Sequence, residues 1–390
     1  MSSDLDRPVL EQLVADREIV VCCGPGGVGK TTVAASLALE CARRGGRACV
    51  VTIDPARRLA NALGLSAVGD VPSRVDGDWP GELWALMLDT KSTFDALVTR
   101  HAATPEQADA ILQNRLYRNI SGVLSGTHEY MAMEKLYELH EQGRSQESGD
   151  DDAPRFDLVV VDTPPTRNAL DFVEAPRRLM RLLDNRIFRL LMVPTRAYLR
   201  AMSVASQAFL RTVSKVVGTE VVSDVVAFFR AFEGMEEGFR QRAQDVHDLI
   251  TSDASAFVLV ASPARDAVRE AAYFADKLAE AGIPTSALVV NRVHPRFGDA
   301  AFEGGSGGDS EDGSGSAPAT TALAPFYANL AEFVDIARRE ESHFATLAAR
   351  VAPAPVARVP FLPADVHDLE GLRAVADELF LRPGSRAPGY

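Results

Sequence analysis

Eight consecutive residues, Gly24-Pro25-Gly26-Gly27-Val28-Gly29-Lys30-Thr31, carry the most specific chemistry in the chain, because they fit the pattern G-x-x-x-x-G-K-[ST]. Glycines at this spacing let the backbone curl until successive N–H groups point inward at phosphate oxygens. A helix starting directly afterwards offers its positive N-terminus to the same anion. Lys30 adds a mobile charge suited to β- and γ-phosphates, and the Thr31 hydroxyl suits the shell of a Mg²⁺ ion. That ion needs a carboxylate, which should end a neighbouring buried strand. Asp162 closes the run FDLVVVD in this way. Alone, an Asp at a strand end reads equally well as a helix N-cap; beside a phosphate loop it reads as a metal and switch residue. Asp54, at the end of ACVVTID, is a third acid for the same edge.

These groups need a scaffold that brings them together. Residues 18–23 (EIVVCC) form a β-branched apolar run ahead of the loop, and 30–44 follow with helical spacing, ended by Gly45-Gly46. Further strands are expected at 48–53, 83–88, 157–161, 257–261, 287–290 and 356–359. Runs that are apolar throughout, separated by helical stretches, predict a parallel sheet buried on both faces. The fold class is α/β: a doubly wound, mostly parallel sheet of the P-loop NTPase type with an inserted all-helical subdomain. Ligands of such sheets sit outside the carboxyl ends of the strands, where Lys30, Asp54 and Asp162 all fall. The expected core comprises 14–88, 155–170 and 251–381, and the helical subdomain 89–143 and 171–250. Residues 144–154 and 297–320 are polar, the second rich in Gly, Ser and Asp, and read as flexible loops.

Composition narrows the function. With 390 residues, 41 Lys+Arg against 54 Asp+Glu and a formal charge of −13, the chain lacks the basic footprint of a nucleic-acid binder. Only five of the basic residues are lysines (Lys30, Lys91, Lys135, Lys215, Lys277). The opening segment carries acids and no apolar core, unlike a secretory signal, and no apolar run is long enough to span a membrane. Cys22, Cys23, Cys41 and Cys49 form no C-x-x-C pair and read as buried thiols of a reducing cytoplasm.

GPGGVGKTT, IDPARRLANALG and VVVDTPPT, in this order and spacing, resemble the arsenical-pump ATPase (ArsA) family, which includes the ATPase of guided entry of tail-anchored membrane proteins. The resemblance continues through FVLVASPARDAVREA, LVVNRV and VPFLPADVHDLEGL. It implies a Mg²⁺-dependent ATPase that dimerises around ATP and moves a helical subdomain bearing a cargo or effector site. Gly26, Gly27, Val28, Gly29, Lys30, Thr31 and Thr32 would then hold the phosphates, with Thr31, Asp54 and Asp162 on the metal side. Asp54 would orient the attacking water and Lys30 would act in catalysis. Asn291 would read the adenine edge, the alternative being a turn residue that ends a strand. Backbone near Pro360–Phe361 and Asp365–Val366 would close around base and ribose.

The departures from the family pattern are equally informative. A lysine usually precedes the Gly-Gly pair and reaches across the dimer; here that position is Pro25, with neither charge nor N–H. A second cation on a transferring phosphoryl group is worth roughly 10³–10⁵ in rate. Either a lysine-bearing paralogue supplies it in a heterodimer, or the chain turns over slowly without it or uses Arg57, Arg58 or Arg167. Arg167-Asn168-Ala169 also replaces the family's Gly-His-Thr. The metalloid cysteines and the C-x-x-C zinc pair are absent, so no zinc or metalloid site is expected.

Met131, Met133, Met180, Met192, Met202 and Met235, with Phe228, Phe229, Phe232 and Phe239, fall in the helical stretches. They either form an adaptable groove for a hydrophobic or membrane-protein client or pack the subdomain's own core. Arg177, Arg178, Arg181, Arg186 and Arg189 read as a solvated face or as a contact for anionic lipid. The expected location is cytoplasmic, with a peripheral membrane position left open.

Overall fold

The computed structural model describes residues 7–53, 58–65, 68–120, 127–142, 155–163, 169–184, 219–295 and 319–380. Residues 143–154 and 296–318, and with them nearly all of both expected flexible loops, lie outside these. Helix α1 (Arg7–Asp16) leads into β1 (Ile19–Cys23), which is buried at every position. A strand with no wet face must be covered on both sides, and the order of elements supplies the covers. Helix α2 (Lys30–Arg43), β2 (Arg47–Thr52), α3 (Arg58–Ala62), β3 (Ser73–Val75) and β4 (Glu82–Met87) follow. Four helices come next: α4 (Thr90–His101), α5 (Pro105–Leu112), α6 (Arg115–Ile120) and α7 (Thr127–Gln142). After β5 (Leu158–Asp162) come α8 (Ala169–Asp184), α9 (Thr219–Phe232) and α10 (Glu236–Thr251). The chain then runs through β6 (Ser255–Ala261), α11 (Arg265–Glu280), β7 (Thr285–Val293), α12 (Ala319–Val351), β8 (Val356–Pro360) and α13 (Leu369–Phe380).

The eight strands form one sheet in the order β3-β4-β2-β5-β1-β6-β7-β8, parallel throughout except for β3 against β4. Alternate side chains of β1 enter two cores. Val20 and Cys22 pack with α1, α2 and α13, while Ile19, Val21 and Cys23 pack with α7, α10, α11 and α12. The sheet is thus doubly wound and mostly parallel, as the apolar runs predict. Helix α1 and the edge strand β3 are additions that the sequence patterns did not reveal. All four cysteines are free and buried.

A third cluster lies among the helices. Leu97, Ile111, Tyr117, Tyr130, Met131, Phe232, Met235 and Phe239 are buried together. Met133 packs instead against the sheet-side core. Met131, Met133, Met235, Phe232 and Phe239 are interior, the plainer of the two expectations for them; Met180, Phe228 and Phe229 are only partly buried against the cluster, and Met192 and Met202 lie outside the described residues. Helix α7 serves both cores: Tyr130 and Met131 face the helical cluster, and Met133, Leu136 and Leu139 face the sheet. Arg177 and Arg181 are exposed on α8, Arg178 meets Glu174 at 3.4 Å, and Arg186 and Arg189 fall outside the described residues. Among the described residues no helix is long and apolar enough to cross a membrane.

One ion pair ties α7 to α10. Arg242 Nε donates to Glu134 Oε1 at 2.7 Å, the carboxylate side chain being only 3% exposed, and the guanidinium lies 3.9 Å over the Tyr137 ring. Removing Arg242 leaves the buried Glu134 carboxylate with only the half-exposed Arg100 guanidinium at 3.9 Å, a far weaker partner. Arg242→Met should therefore destabilise the fold by about 3–5 kcal/mol. The double variant with Glu134→Leu should recover most of that loss. Denaturant midpoints measure both, and an additive pair of losses would show that the two residues are not coupled.

Candidate functional site

Strand β1 lies between β5 and β6, with Cys22 level with Asp162 on one side and with Val258 on the other. The loop that leaves β1 therefore emerges at the centre of the sheet's carboxyl edge. Gly24 is forced there: a Cβ would stand 2.1 Å from the Val260 carbonyl oxygen of β6. Pro25 is buried, Gly26 and Gly27 form an exposed crest, and Val28 anchors the descending limb in the core. Gly29 (φ 92°, ψ 29°) takes a left-handed turn into α2, and no side chain caps that helix. Its first N–H groups are thus left for another acceptor.

Lys30 is 6% exposed, and its Nζ donates to the Pro25 carbonyl at 2.8 Å across the loop. Thr31 Oγ1 donates to Asp162 Oδ2 at 2.6 Å. Thr52 Oγ1 donates to the same oxygen at 3.1 Å, β2 and β5 placing these two residues in register. Asp162 itself is 1% exposed. Thr163 is held by its hydroxyl to the Cys22 carbonyl at 2.8 Å, and Thr32 is half-buried on α2. Beneath the loop, burial first and the Asp162 charge second hold the Cys22 thiol well above the usual range. Burial also pushes the Cys23 thiol up to about 12. Both stay protonated at neutral pH, so thiolate chemistry is not what this site offers.

From the other side, β7 brings Asn291 against the loop, its Nδ2 donating to the Val28 carbonyl at 2.9 Å. Pro360 ends β8 and Phe361 follows it, the Phe361 N–H donating to the Val293 carbonyl at 2.9 Å. The exposed Phe361 ring stacks on His294 at 6.0 Å, and Glu340 of α12 holds that imidazole at 2.7 Å. Asp365 is exposed farther along the same segment. Asp54, Arg57 and Arg167 lie outside the described residues, as does the side chain of Arg58.

The sheet edge thus brings together Lys30 and Thr31, Asp162, and Asn291 from three separate stretches. Sequence reasoning missed Thr52 and Arg292; a polar residue closing the apolar run ACVVT was the available signal for the first. Among the described residues no cluster of three or more His, Cys, Asp or Glu side chains forms. The site's donors are instead a hydroxyl and one carboxylate, hard oxygens that fit Mg²⁺ when phosphate and water complete its shell.

A glycine-rich loop between the central strand and an uncapped helix, with a buried Asp–Thr pair at the next strand end, defines a P-loop nucleotide-binding protein. The sequence pattern of the anion-transporting ATPase family matches residues 17–301, and the chain belongs to that family. ATPase GET3 of Kluyveromyces lactis is 29% identical over 167 residues, 41% of this chain and 46% of that protein. The Streptomyces coelicolor protein SCO2128 is 31% identical over 277 residues, 70% of this chain and 61% of its own. ATPase ARSA1 of Chlamydomonas reinhardtii is 26% identical over 303 residues, covering 72% and 35% respectively. The matches thus span roughly a third to three-fifths of these relatives.

Gly29 gives the sharpest test of the loop. An added Cβ would meet Asn291 Nδ2 at 2.2 Å on a left-handed backbone. Gly29→Ala should weaken binding of a nucleoside triphosphate by about 100-fold or more, read by titration calorimetry. Affinity within threefold of wild type would mean that the loop does not hold the phosphates.

Proposed function

We propose that the chain is a Mg²⁺-dependent ATPase that couples ATP binding and hydrolysis to closure of a dimer and movement of its helical part. The observation that carries this reading is the 2.6 Å contact of Thr31 with the buried Asp162, directly after Lys30 in the loop. An incoming triphosphate would draw Lys30 from the Pro25 carbonyl onto its β- and γ-oxygens, while Gly26, Gly27, Val28, Gly29 and Thr32 offer backbone N–H groups. Thr31 and Asp162 would hold Mg²⁺, which when bound neutralises charge on the phosphates. Asp54 would orient the attacking water. Asn291, Pro360, Phe361 and Asp365 would border the base and ribose.

The helical elements α4–α10 would carry the effector or client site. Helix α7, shared between the sheet-side core and the helical cluster, is the natural lever between them. Relatives named ATPase GET3 and ATPase ARSA1 support the activity class. A hydrophobic or membrane-protein client in the cytoplasm fits the same reading.

Binding and turnover separate the roles. Wild type should bind ATP with an affinity that falls on chelation of Mg²⁺, and Lys30→Ala should lose binding. Asp54→Asn should bind normally and turn over at least about 100-fold more slowly. A Lys30→Ala chain that binds and hydrolyses ATP as wild type does would refute the proposal.

Pro25 favours a second reading, a nucleotide-binding regulatory subunit whose cation comes from a lysine-bearing paralogue. Turnover of the purified chain should then rise by about tenfold or more when that paralogue is added. Equal turnover alone and in the mixture excludes the heterodimer.

A further inference from the structure

Asn291 and its neighbour Arg292 touch the phosphate loop from outside, on two successive carbonyls. Asn291 Nδ2 donates to the Val28 carbonyl at 2.9 Å and Arg292 Nη1 to the Gly27 carbonyl at 3.3 Å. In a trans peptide the C=O and the following N–H point in opposite directions. Turning the Gly27 and Val28 carbonyls toward β7 therefore turns the Val28 and Gly29 N–H groups away from it, to the side where a phosphate is enclosed.

The local backbone is shaped for this. Arg292 has φ 62°, and among the described residues it is the only non-glycine with positive φ, a conformation that disfavours any residue with a Cβ. The β7–β8 register slips at the same place: Asn291 pairs with Val359 and Val293 with Pro360, leaving Arg292 out of the ladder. A bulge of this kind re-aims a side chain, and here the exposed arginine is swung over the loop crest. Asn291 is fixed just as firmly. It is 7% exposed, and its Oδ1 accepts the Arg292 N–H at 2.9 Å. Both ends of the amide are thus engaged by backbone before any base arrives.

We infer that Asn291 and Arg292 are positioning residues for the phosphates: an outer clamp that pre-aims two loop N–H groups at the anion. The inference rests on the loop being the ATP-phosphate site, and it assigns Asn291 work that does not depend on the base. A ligand without a base separates the two roles.

Titration of the full chain with MgATP and with inorganic tripolyphosphate is the test. Asn291→Ala and Arg292→Ala should each weaken both ligands by similar factors, about tenfold, and Arg292→Lys should recover part of the loss. Arg292→Gly relieves the left-handed backbone, so it should melt no lower than wild type while still losing tripolyphosphate affinity. Tripolyphosphate affinity within twofold of wild type in Asn291→Ala or in either arginine-deleting variant overturns the clamp. If ATP affinity alone falls in Asn291→Ala, the residue reads adenine instead. A wild-type chain that binds neither ligand, or a Lys30→Ala chain that binds both normally, refutes the phosphate site itself and the clamp with it.

Discussion

Backbone N–H groups that open onto a concave loop and the start of a helix cannot be satisfied by the protein that carries them, or no phosphate could enter. Buried polar groups left in this condition cost stability, and a flexible glycine loop has every opportunity to relieve the cost by collapsing. What prevents collapse here is contact on all sides. Gly24 is pressed on the Val260 carbonyl of β6, Val28 is sunk in the core, and Gly29 is packed under Asn291 of β7. Those contacts exist because β1 is central, flanked by β5 and β6, with β7 next. The parallel sheet and its two apolar faces are, in this sense, the support for a handful of open N–H groups.

The same edge has to accommodate a carboxyl group at 1% exposure. Two threonine hydroxyls from different elements donate to one of its oxygens, Thr31 from α2 and Thr52 from β2. Hydrogen bonds to a charged group are stronger than neutral ones and offset part of the desolvation that burial imposes. Lys30, also buried, rests on the Pro25 carbonyl. A carbonyl is a weaker partner for an ammonium than a phosphate is, so the lysine is parked in a contact it can exchange.

Legibility in the sequence followed the length scale of each signal. Strands with continuous apolar runs (IVVCC, and LVVV ahead of Asp162) declare a buried parallel sheet because nothing else buries such runs on both faces. The edge strand β3 is three residues long and partly exposed, too short for any periodicity to register. Lys30, Thr31 and Asp162 were readable because a local pattern dictates them. Thr52 and Arg292 were not: each acts through strand register or a bulge, which a sequence does not display. The Glu134–Arg242 pair, 108 residues apart in the chain, was invisible for the same reason. The methionines and phenylalanines of the helical part were ambiguous in sequence because a core and a groove draw on the same residues. Burial of Met131, Met133, Met235 and Phe239 places those four in the core.

Pro25 connects the missing charge to the geometry of the loop. Proline at this position withholds a cation, and it also withholds an N–H, so the loop has one inward donor fewer than its glycine-rich pattern suggests. The residue is buried rather than projecting from the crest, and its one remaining polar group, the carbonyl, is occupied by Lys30. With charge and donor both gone from the ascending limb, the proposed recognition of an anion would fall on the descending limb, at the Val28 and Gly29 N–H groups and the start of α2. That is the limb that Asn291 and Arg292 grip from outside. A donor already pointing the right way loses less freedom on binding than one that must be turned, and electrostatic stabilisation by fixed dipoles depends on that prior orientation. A loop weakened on one limb therefore has more to gain from rigidity on the other, which gives a physical reason for a strained arginine to persist at the end of β7.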